Sequence, residues 1–396
     1  MTTTARDMMF QRHPGNPILT AANWPHTINA VFNPGAVRLP DGTTLLLCRV
    51  EDRRGISNLW AARSADGISD WQVDPEPALL PNPQDHPEET WGVEDARIIW
   101  LEELRRYAIT YTAYSPTGPA VSLALTADFR TYERVGLVMP PEDKDASLLP
   151  RRFGGHWLML HRPRTGLGSD IWLAESPDLV HWGRHRLLLA ARRGAWWDAN
   201  KIGLGPPLIE TDRGWLMLYH GMRQTAAGCL YRLGVALLDS ADPARTLLRG
   251  DEWVLGPRES YERQGDVGDV VFPCGLTIGP DGDTLNLYYG AADTCIGLAT
   301  ARVSEILAWL DTHSSPPEPN VCCPLTADGS RGSGSGRGSS CYTAGSSVRT
   351  STGMPSTARC CRARTTAFRL RVLTRLAARL ESTRGRKANL DIHSHS

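Results

Sequence analysis

The sequence predicts an all-β protein, a five-bladed β-propeller that is followed by a basic C-terminal tail. Two observations predict the propeller: a pair of strand-like segments recurs five times, and the periodicity of α-helices is nearly absent from residues 1–315. A change of composition at Pro316 predicts the domain boundary. We therefore expect a propeller domain at residues 1–315 and a separate tail at residues 316–396.

Each repeat begins with a run of apolar and aromatic residues that is typical of a β-strand. The five runs are 45–49 (LLLCR), 107–111 (YAITY), 157–161 (WLMLH), 215–219 (WLMLY) and 285–289 (LNLYY). An Ala- and Ser-rich strand follows each run, at 59–64, 123–126, 171–176, 233–240 and 296–301. The length of the repeat suits a four-stranded blade, because radial repetition hides most strand edges. A stack of separate β-sandwiches is the alternative.

The tail differs from the body in composition and in charge. Ser, Gly, Arg and Thr dominate it up to about residue 367, and such a segment buries too little apolar surface to fold alone. Residues 368–380 (FRLRVLTRLAARL) have the pattern of a short basic amphipathic helix. The tail carries a net charge of +9 and residues 1–315 carry −9, so the body gives no reason to expect a nucleic-acid partner.

Several other features restrict the class of protein. No run of about 20 apolar residues predicts a membrane span, and the N-terminus lacks the apolar core of a signal peptide. We therefore expect a cytoplasmic protein with no membrane partner, which could form a homo-oligomer. The cysteines of the body are scattered, as expected for buried thiols: Cys48, Cys229, Cys274 and Cys295. Neither a Walker-type phosphate loop nor a convincing set of metal ligands is present.

Polar residues cluster where the repeated strands end, which in a propeller is the mouth of the central channel. These candidates are Asn33, Arg49, Glu51, Asp52, Glu94, Asp95, Arg97, Lys144, Asp145, His161, Arg162, Asp198, Asn200, Lys201, Tyr219, His220, Tyr231, Asp269, Phe272 and Asp293. Neighbours on a strand point to opposite faces, so we expect only one of Glu94 and Asp95 to face the site. The cations come from different repeats and together suggest a pocket for a dianion such as phosphate.

The motifs that contain these residues resemble glycoside hydrolase family 130, the β-mannoside phosphorylases. The resemblance covers roughly residues 9–312 and lies in motifs that occur in the same order: FNPGAV, LLCRVEDR, WGVEDARI, KDASLLP, MLHRP, NKIGLGPP, LYHG, YRLGVALLD and DVVFPCG. It implies a five-bladed propeller whose catalytic acid is Asp95. It implies a phosphate pocket of Lys144, Arg162, Lys201, His220 and Tyr231. It further implies that Asn33, Arg49, Phe272 and Asp293 shape the mannose subsite.

The residues are consistent with the chemistry that the resemblance implies. An inverting hydrolase needs two carboxyl groups, whereas a phosphorylase needs one acid, because phosphate is itself the nucleophile. The expected reaction is inverting phosphorolysis of a β-1,4-mannoside to α-mannose 1-phosphate and a shortened sugar, with phosphate as co-substrate and no cofactor or metal. The acceptor sugar stays open, although a mannooligosaccharide or mannosyl-N-acetylglucosamine substrate is favoured over mannosyl-glucose.

Three other functions are compatible with the sequence. The first is a β-mannoside hydrolase on the same fold, although the cation set favours phosphorolysis. The second is a non-catalytic carbohydrate-binding propeller. The third is a different five-bladed glycosidase, in which Glu51, Asp145 and Asp198 would supply separated carboxylates.

Overall fold

β-Strands are the main regular structure in the computed structural model, which describes residues 9–165, 168–226 and 228–315. Two α-helices are present in these ranges, α1 (Ser260–Arg263) and α2 (Val303–His313), and short 3-10 turns span Ala21–Asn23 and Pro87–Glu89. The all-β prediction is confirmed. The predicted tail at 316–396 and its possible helix at 368–380 lie outside the described residues. In the described part of the chain, no helix is long and apolar enough to cross a membrane.

After the short strand β1 (Gln11–Arg12), the described strands run as five successive antiparallel meanders, the first two of which are joined into one sheet by a parallel bridge between Ser57 and Gly92. The first contains β2 (Ala30–Arg38), β3 (Thr44–Glu51), β4 (Ser57–Ser64) and β5 (Gln72–Val73). The second contains β6 (Gly92–Leu101), β7 (Arg106–Ser115), β8 (Gly118–Thr126) and β9 (Glu133–Met139). The third contains β10 (Asp143–Leu148), β11 (Trp157–Thr165), β12 (Gly168–Ser169), β13 (Ile171–Ser176) and β14 (Gly183–Leu189).

The last two meanders each gain a short strand from one end of the described chain. The fourth contains β15 (Lys201–Leu204), β16 (Ile209–Thr211), β17 (Gly214–Thr225), β18 (Gly228–Leu238) and β19 (Thr246–Gly250), to which β23 (Ser314–Ser315) adds. The fifth contains β20 (Val271–Ile278), β21 (Thr284–Ala291) and β22 (Cys295–Arg302). Strand β1 pairs with β22, so the N-terminal end of the described chain completes the last meander.

The sequence repeat corresponds to two adjacent antiparallel strands in each meander. The five runs lie in β3, β7, β11, β17 and β21, and their partners begin in β4, β8, β13, β18 and β22. The turn after the partner strand also repeats in the first three meanders. Its aspartate, Asp66, Asp128 or Asp178, accepts hydrogen bonds from the backbone N–H groups two and three residues later. Such Asx turns explain the recurring Ser/Thr-x-Asp endings.

Each meander packs against its neighbours through an apolar layer. Separate buried clusters join the first meander to the second, the second to the third, the third to the fourth and the fourth to the fifth. A further cluster joins the fifth meander to the first, where Leu46 and Cys48 share a core with Tyr288 and Leu298. The first strands lie side by side, since β2 contacts β6 and β20, and β10 contacts β6 and β15.

The cysteine prediction is correct for three of the four thiols. Cys48, Cys274 and Cys295 are buried, but Cys229 is only partly buried. It lies near the tip of the long β17–β18 hairpin, where its Sγ contacts Gln224. The hairpin extends past the apolar layer at this point, which explains the exposure of Cys229.

Candidate functional site

β-Bulges on the first strands of the meanders set the direction of several candidate side chains. The pairing register shifts within the first strand of four meanders. The shifts lie between Phe32 and Gly35, Glu94 and Arg97, Lys144 and Ser147, and Pro273 and Gly275. Three of these shifts contain a residue with left-handed backbone: Asn33 (φ 45°), Asp95 (φ 51°) and Asp145 (φ 54°). Asn and Asp tolerate this conformation better than most residues, and a bulge re-aims a side chain. The bulges therefore present three polar side chains beside neighbouring meanders.

Asp95 is buried at the junction of the first two meanders. Only 2% of its surface is exposed, and its Oδ1 accepts hydrogen bonds from Asn33 Nδ2 at 2.9 Å and Arg49 Nη1 at 3.2 Å. Burial acts to raise the pKa of Asp95, but the charges of Arg49, Lys144 and Arg97 and the Asn33 hydrogen bond lower it below the ordinary value. In the protein alone, Asp95 is therefore held as a carboxylate.

Glu94 lies beside Asp95 and binds the same guanidinium group. Its Oε1 is 2.9 Å from Arg49 Nη2, while Asp95 binds Nη1 of that arginine. The expectation that the two acids face opposite sides is wrong, because the bulge and left-handed backbone at Asp95 interrupt strand alternation. Both acids therefore share a salt bridge with Arg49. Burial raises the pKa of Glu94, and the charge of Asp95 adds to this effect.

Asp293 is a further carboxyl group near Arg49. It follows β21, has left-handed backbone (φ 50°) and is partly buried. Burial, together with the charges of Asp95 and Glu94, raises the pKa of Asp293 to about 6, although Arg49 acts in the opposite direction. The guanidinium group of Arg49 also donates to Ser57 Oγ at 2.9 Å and stacks 4.5 Å above the Phe32 ring. One cation thus serves several carboxyl groups on this side of the site.

Asp145 reverses this arrangement, since it is one carboxylate among several cations. It is 1% exposed, and its Oδ2 lies 2.7 Å from Arg162 Nε and 3.6 Å from His220 Nε2. Its Oδ1 lies 3.6 Å from Arg97 Nη2. Burial acts to raise the pKa of Asp145, but Arg162, His220 and Lys144 lower it well below the usual range. Asp145 orients these groups and neutralises part of the charge of Arg162 and Arg97.

His220 has its imidazole ring buried against Phe272, with 4.5 Å between the ring centroids. Burial lowers the pKa of His220 to about 3, so the ring is neutral near pH 7. Neither ring nitrogen has a hydrogen-bond partner within the described ranges. Gly203 permits the close approach of Asp145 and His220, because a Cβ there would lie 2.5 Å from Asp145 Oδ2 and 2.5 Å from His220 Cε1. The histidine can therefore donate one hydrogen bond to a ligand.

Lys201 and Tyr231 lie in the fourth meander, as does His220, and contact each other beside the cationic cluster. Lys201 Nζ donates to the Tyr231 hydroxyl at 2.7 Å. Burial lowers the pKa of Lys201 to about 8, and the neighbouring charge of Arg162 adds to the effect. Burial raises the pKa of Tyr231 to about 12, so the phenol remains protonated at neutral pH. Both shifts come mainly from burial, and the charge of Arg162 adds to the shift of Lys201 but opposes that of Tyr231.

A cleft of about 530 Å³ opens beside this cluster. Lys144, Arg162 and Lys201 line it, together with Tyr114, Arg164 and Asn200. Lys144 and Arg162 are cross-strand partners in β10 and β11, which places both cations at the same edge of the third meander. The structure therefore brings the whole predicted phosphate set to one region, with the cleft over the cations rather than over Asp95.

Several other candidates have structural contacts away from this region. Asp198 is fully buried, where its Oδ2 accepts from Tyr219 OH at 3.0 Å and Arg249 Nη2 at 2.8 Å. Asp52 binds Arg54 within its own turn, and Asp269 lies 3.5 Å from Arg263. Asp198 thus belongs to a buried cluster with Tyr219 and Arg249 and is not among the residues that line the cleft, which disfavours a glycosidase that uses it as a catalytic carboxylate.

Two candidates next to the cluster have supporting contacts. Arg97 donates to the backbone carbonyls of Asp95, Leu204 and Gly205, so it ties the bulge of β6 to the fourth meander. His161 Nδ1 lies 2.6 Å from Asp143 Oδ2, and Asp143 also accepts from the backbone N–H of Arg162. Asp143 was not among the site residues predicted from the sequence. Its spacing of two residues from Asp145 was the available signal, since both side chains lie on one face of a regular strand.

Comparisons with known proteins agree with this arrangement. A model of the family described as beta-1,4-mannooligosaccharide phosphorylase matches residues 7–312. The chain is 33% identical to Beta-1,4-mannooligosaccharide phosphorylase of Ruminococcus albus over 313 residues, which cover 77% of this chain and 91% of that protein. It is 39% identical to Beta-1,2-mannobiose phosphorylase of Listeria innocua over 261 residues, which cover 65% of this chain and 70% of that protein.

Solved structures show the same relationship. The Listeria innocua Beta-1,2-Mannobiose phosphorylase in complex with beta-1,2-mannobiose superimposes with a TM-score of 0.69 at 32% identity, covering 76% of this chain and 99% of that chain. Another similar structure comes from the GH130 family of mannoside phosphorylases, which contains glycoside hydrolases that target beta-1,2 mannosidic linkages in Candida mannan. It has a TM-score of 0.65 at 26% identity and covers 78% of this chain and 96% of that chain.

Proposed function

Since this chain belongs to glycoside hydrolase family 130, we propose that it catalyses the inverting phosphorolysis of a β-mannoside to α-mannose 1-phosphate and a shortened sugar. Family membership confirms the resemblance of the sequence motifs and the prediction of an enzyme. The observation that carries the reaction type is the excess of cations around Asp145, which suits a dianionic nucleophile. Inorganic phosphate is the proposed co-substrate, with no cofactor.

The proposed architecture is a five-bladed propeller in which each meander is one blade. Support comes from the five apolar layers, which include one between the fifth and first meanders, and from the pairing of β1 with β22. Radial packing of this kind leaves few exposed strand edges. The first strands would then line the central channel, which accounts for the position of the bulged residues Asn33, Asp95 and Asp145.

Asp95 is the proposed proton donor, and Asn33, Arg49, Phe272 and Asp293 are proposed to shape the mannose subsite. The contacts of Asn33 and Arg49 with Asp95 support this assignment because they fix the carboxyl group beside the cationic cluster. A phosphate oxygen forms a bond to the anomeric carbon while the glycosidic C–O bond breaks. The proton of Asp95 goes to the leaving oxygen, directly or through a sugar hydroxyl. Attack from the opposite face inverts the anomeric configuration.

The phosphate pocket is proposed to consist of Lys144, Arg162, Lys201, His220 and Tyr231. Arg162 and Lys201 supply charge, and the neutral His220 and the Tyr231 hydroxyl supply hydrogen bonds. Phosphate also has a role in preparing the acid. Lys144 and Arg97 help to lower the pKa of Asp95, so a dianion close to them offsets their charge and raises that pKa. The alkaline limb of the pH profile, where the general acid loses its proton, should accordingly lie at higher pH in kcat, which reports the complex, than in kcat/KM for phosphate, which reports the enzyme before phosphate binds.

The test is phosphorus NMR on the purified protein with β-1,4-mannobiose and inorganic phosphate. We expect the signal of α-mannose 1-phosphate to appear in the wild type and to be absent with Asp95→Asn. Formation of β-mannose 1-phosphate would contradict the inverting mechanism. Release of free mannose without any phosphate ester would support the alternative of a hydrolase, an activity that the GH130 family also contains.

The linkage needs a separate comparison of substrates. We propose a β-1,4-mannoside on the description of the matching family and on the Ruminococcus albus relative. A β-1,2-mannoside is the second candidate, because the Listeria innocua relative has the higher identity, 39% against 33%. Rates of phosphate-dependent cleavage of β-1,4- and β-1,2-mannobiose, measured side by side, decide between them.

A further inference from the structure

We propose that Trp91 and Tyr114 form a sugar-binding platform at the mouth of the cleft, which binds an acceptor-side unit beyond the disaccharide. This inference rests on the proposed function and makes the preferred substrate an oligosaccharide of at least three units. Large aromatic side chains are usually buried, yet Trp91 is 42% exposed and Tyr114 is 37% exposed. Their rings meet edge to face, with centroids 5.4 Å apart.

The backbone fixes this aromatic pair to the strands that carry the acid. Trp91 directly precedes β6, and its N–H donates to the carbonyl of Tyr114 at 2.8 Å. The next residue, Gly92, pairs with Tyr114 across β6 and β7. Both rings are therefore held at the same end of the hairpin whose bulge presents Asp95.

The exposure of β6 shows which way the strand runs. Trp91 is exposed, whereas the residues from Gly92 to Ile98 are buried, so the strand enters the body of the protein immediately after Trp91. Four residues of extended strand span about 13 Å, which exceeds the length of one sugar ring. A sugar that contacts Trp91 is thus separated from the bond that Asp95 protonates by at least one further unit.

The position of Tyr114 connects the platform to the cleft. Tyr114 lines the cleft together with Pro119, its cross-strand partner, and with Lys144 and Arg162. Tyr114 thus places an aromatic edge on the cleft along which, in this proposal, the acceptor-side sugars extend. Aromatic rings present flat apolar faces with a polar rim, which suits the apolar face of a pyranose ring.

The test compares Trp91→Ala with the wild type on mannobiose, mannotriose and mannotetraose of the linkage that the enzyme cleaves. We expect kcat/KM to fall roughly three- to tenfold on the tri- and tetrasaccharide and less than twofold on the disaccharide. Trp91→Phe should restore most of the loss. Leu137→Ala is the control, since Leu137 is an exposed apolar residue on the outer strand β9, and it should change no substrate's rate.

Equal loss on all three substrates, or no loss on any, would overturn the platform. Calorimetric titration of Asp95→Asn, with and without Trp91→Ala, separates this inference from the proposed reaction. The wild type could form no mannose 1-phosphate and the platform would still be supported if Asp95→Asn bound the trisaccharide more tightly than the disaccharide, and if Trp91→Ala removed this difference in affinity. The same affinity for both sugar lengths, with or without Trp91, would overturn it.

Discussion

The two halves of the site have opposite charge ratios. On one side, Arg49 contacts both Glu94 and Asp95 and lies close to Asp293; the pKa values of Glu94 and Asp293 are raised, whereas that of Asp95 is lowered. On the other side, Asp145 lies beside Arg162, Arg97 and the neutral His220, and the pKa of Lys201 is lowered. The first half carries more carboxyl groups than cations, and the second carries more cations than carboxylates. This difference is what a reaction between an acid-activated glycoside and phosphate requires.

The largest effect is expected in the acidic half. Asp95→Asn keeps the size and the left-handed backbone of the residue but removes the transferable proton, so kcat should fall by about 10² to 10⁴. Steady-state kinetics measure this loss, and circular dichroism checks that the fold is retained. Glu94→Gln is the matched control on the neighbouring carboxyl group. If it reduced kcat as strongly while Asp95→Asn did not, Glu94 would be the acid.

A buried charge cluster outside both halves should affect stability instead. Asp198 pairs with Arg249 and lies 3.5 Å from Arg192, so Asp198→Asn leaves the buried guanidinium group of Arg249 without its carboxylate. We expect a loss of about 3 kcal/mol in the free energy of unfolding, measured by urea denaturation. The exposed pair Arg213–Asp311 provides the control, since Asp311→Asn should cost less than about 1 kcal/mol. Folded Asp198→Asn protein with activity reduced as much as Asp95→Asn would place Asp198 in catalysis.

The cationic half predicts a selective effect on phosphate. Arg162→Ala should raise the KM for phosphate about 10- to 100-fold, because it removes a charge-assisted contact. Arg164 lies on the same cleft but is exposed and paired with Glu142, so Arg164→Ala should change this KM less than about threefold. A similar rise with both variants would indicate general electrostatic attraction rather than a defined pocket.

The smallest effect concerns Asp293 and depends on pH. Its pKa is about 6 in the folded protein, above the ordinary value of 3.8, so its protonated form stabilises the fold at low pH and this contribution is lost as the pH rises through 6. Asp293→Asn removes the loss and should make the protein about 1–2 kcal/mol more stable than the wild type at pH 8. The difference should vanish below pH 4. Urea denaturation at both pH values checks this, and the same difference at both would contradict it.

The sequence predicted the identity of the residues that come together in the site better than it predicted the directions and partners of their side chains. The repeat located the strands, because alternation and turn residues are local signals. The opposed directions expected for Glu94 and Asp95 were wrong, since a bulge depends on how neighbouring strands pair. The role of Asp198 could not be predicted, because its partner Arg249 is 51 residues away in the sequence. The Trp91 and Tyr114 contact likewise depends on the register of β6 and β7.

The most direct test of the central claim, that the cationic half binds the nucleophile, is the rate of glycosidic cleavage with and without inorganic phosphate. Both rates are measured on one enzyme preparation with the preferred β-mannobiose. The charge ratios of the two halves predict rapid cleavage with phosphate and almost none without it. Equal rates in the two buffers would show that water is the nucleophile and would contradict the assignment of the pocket.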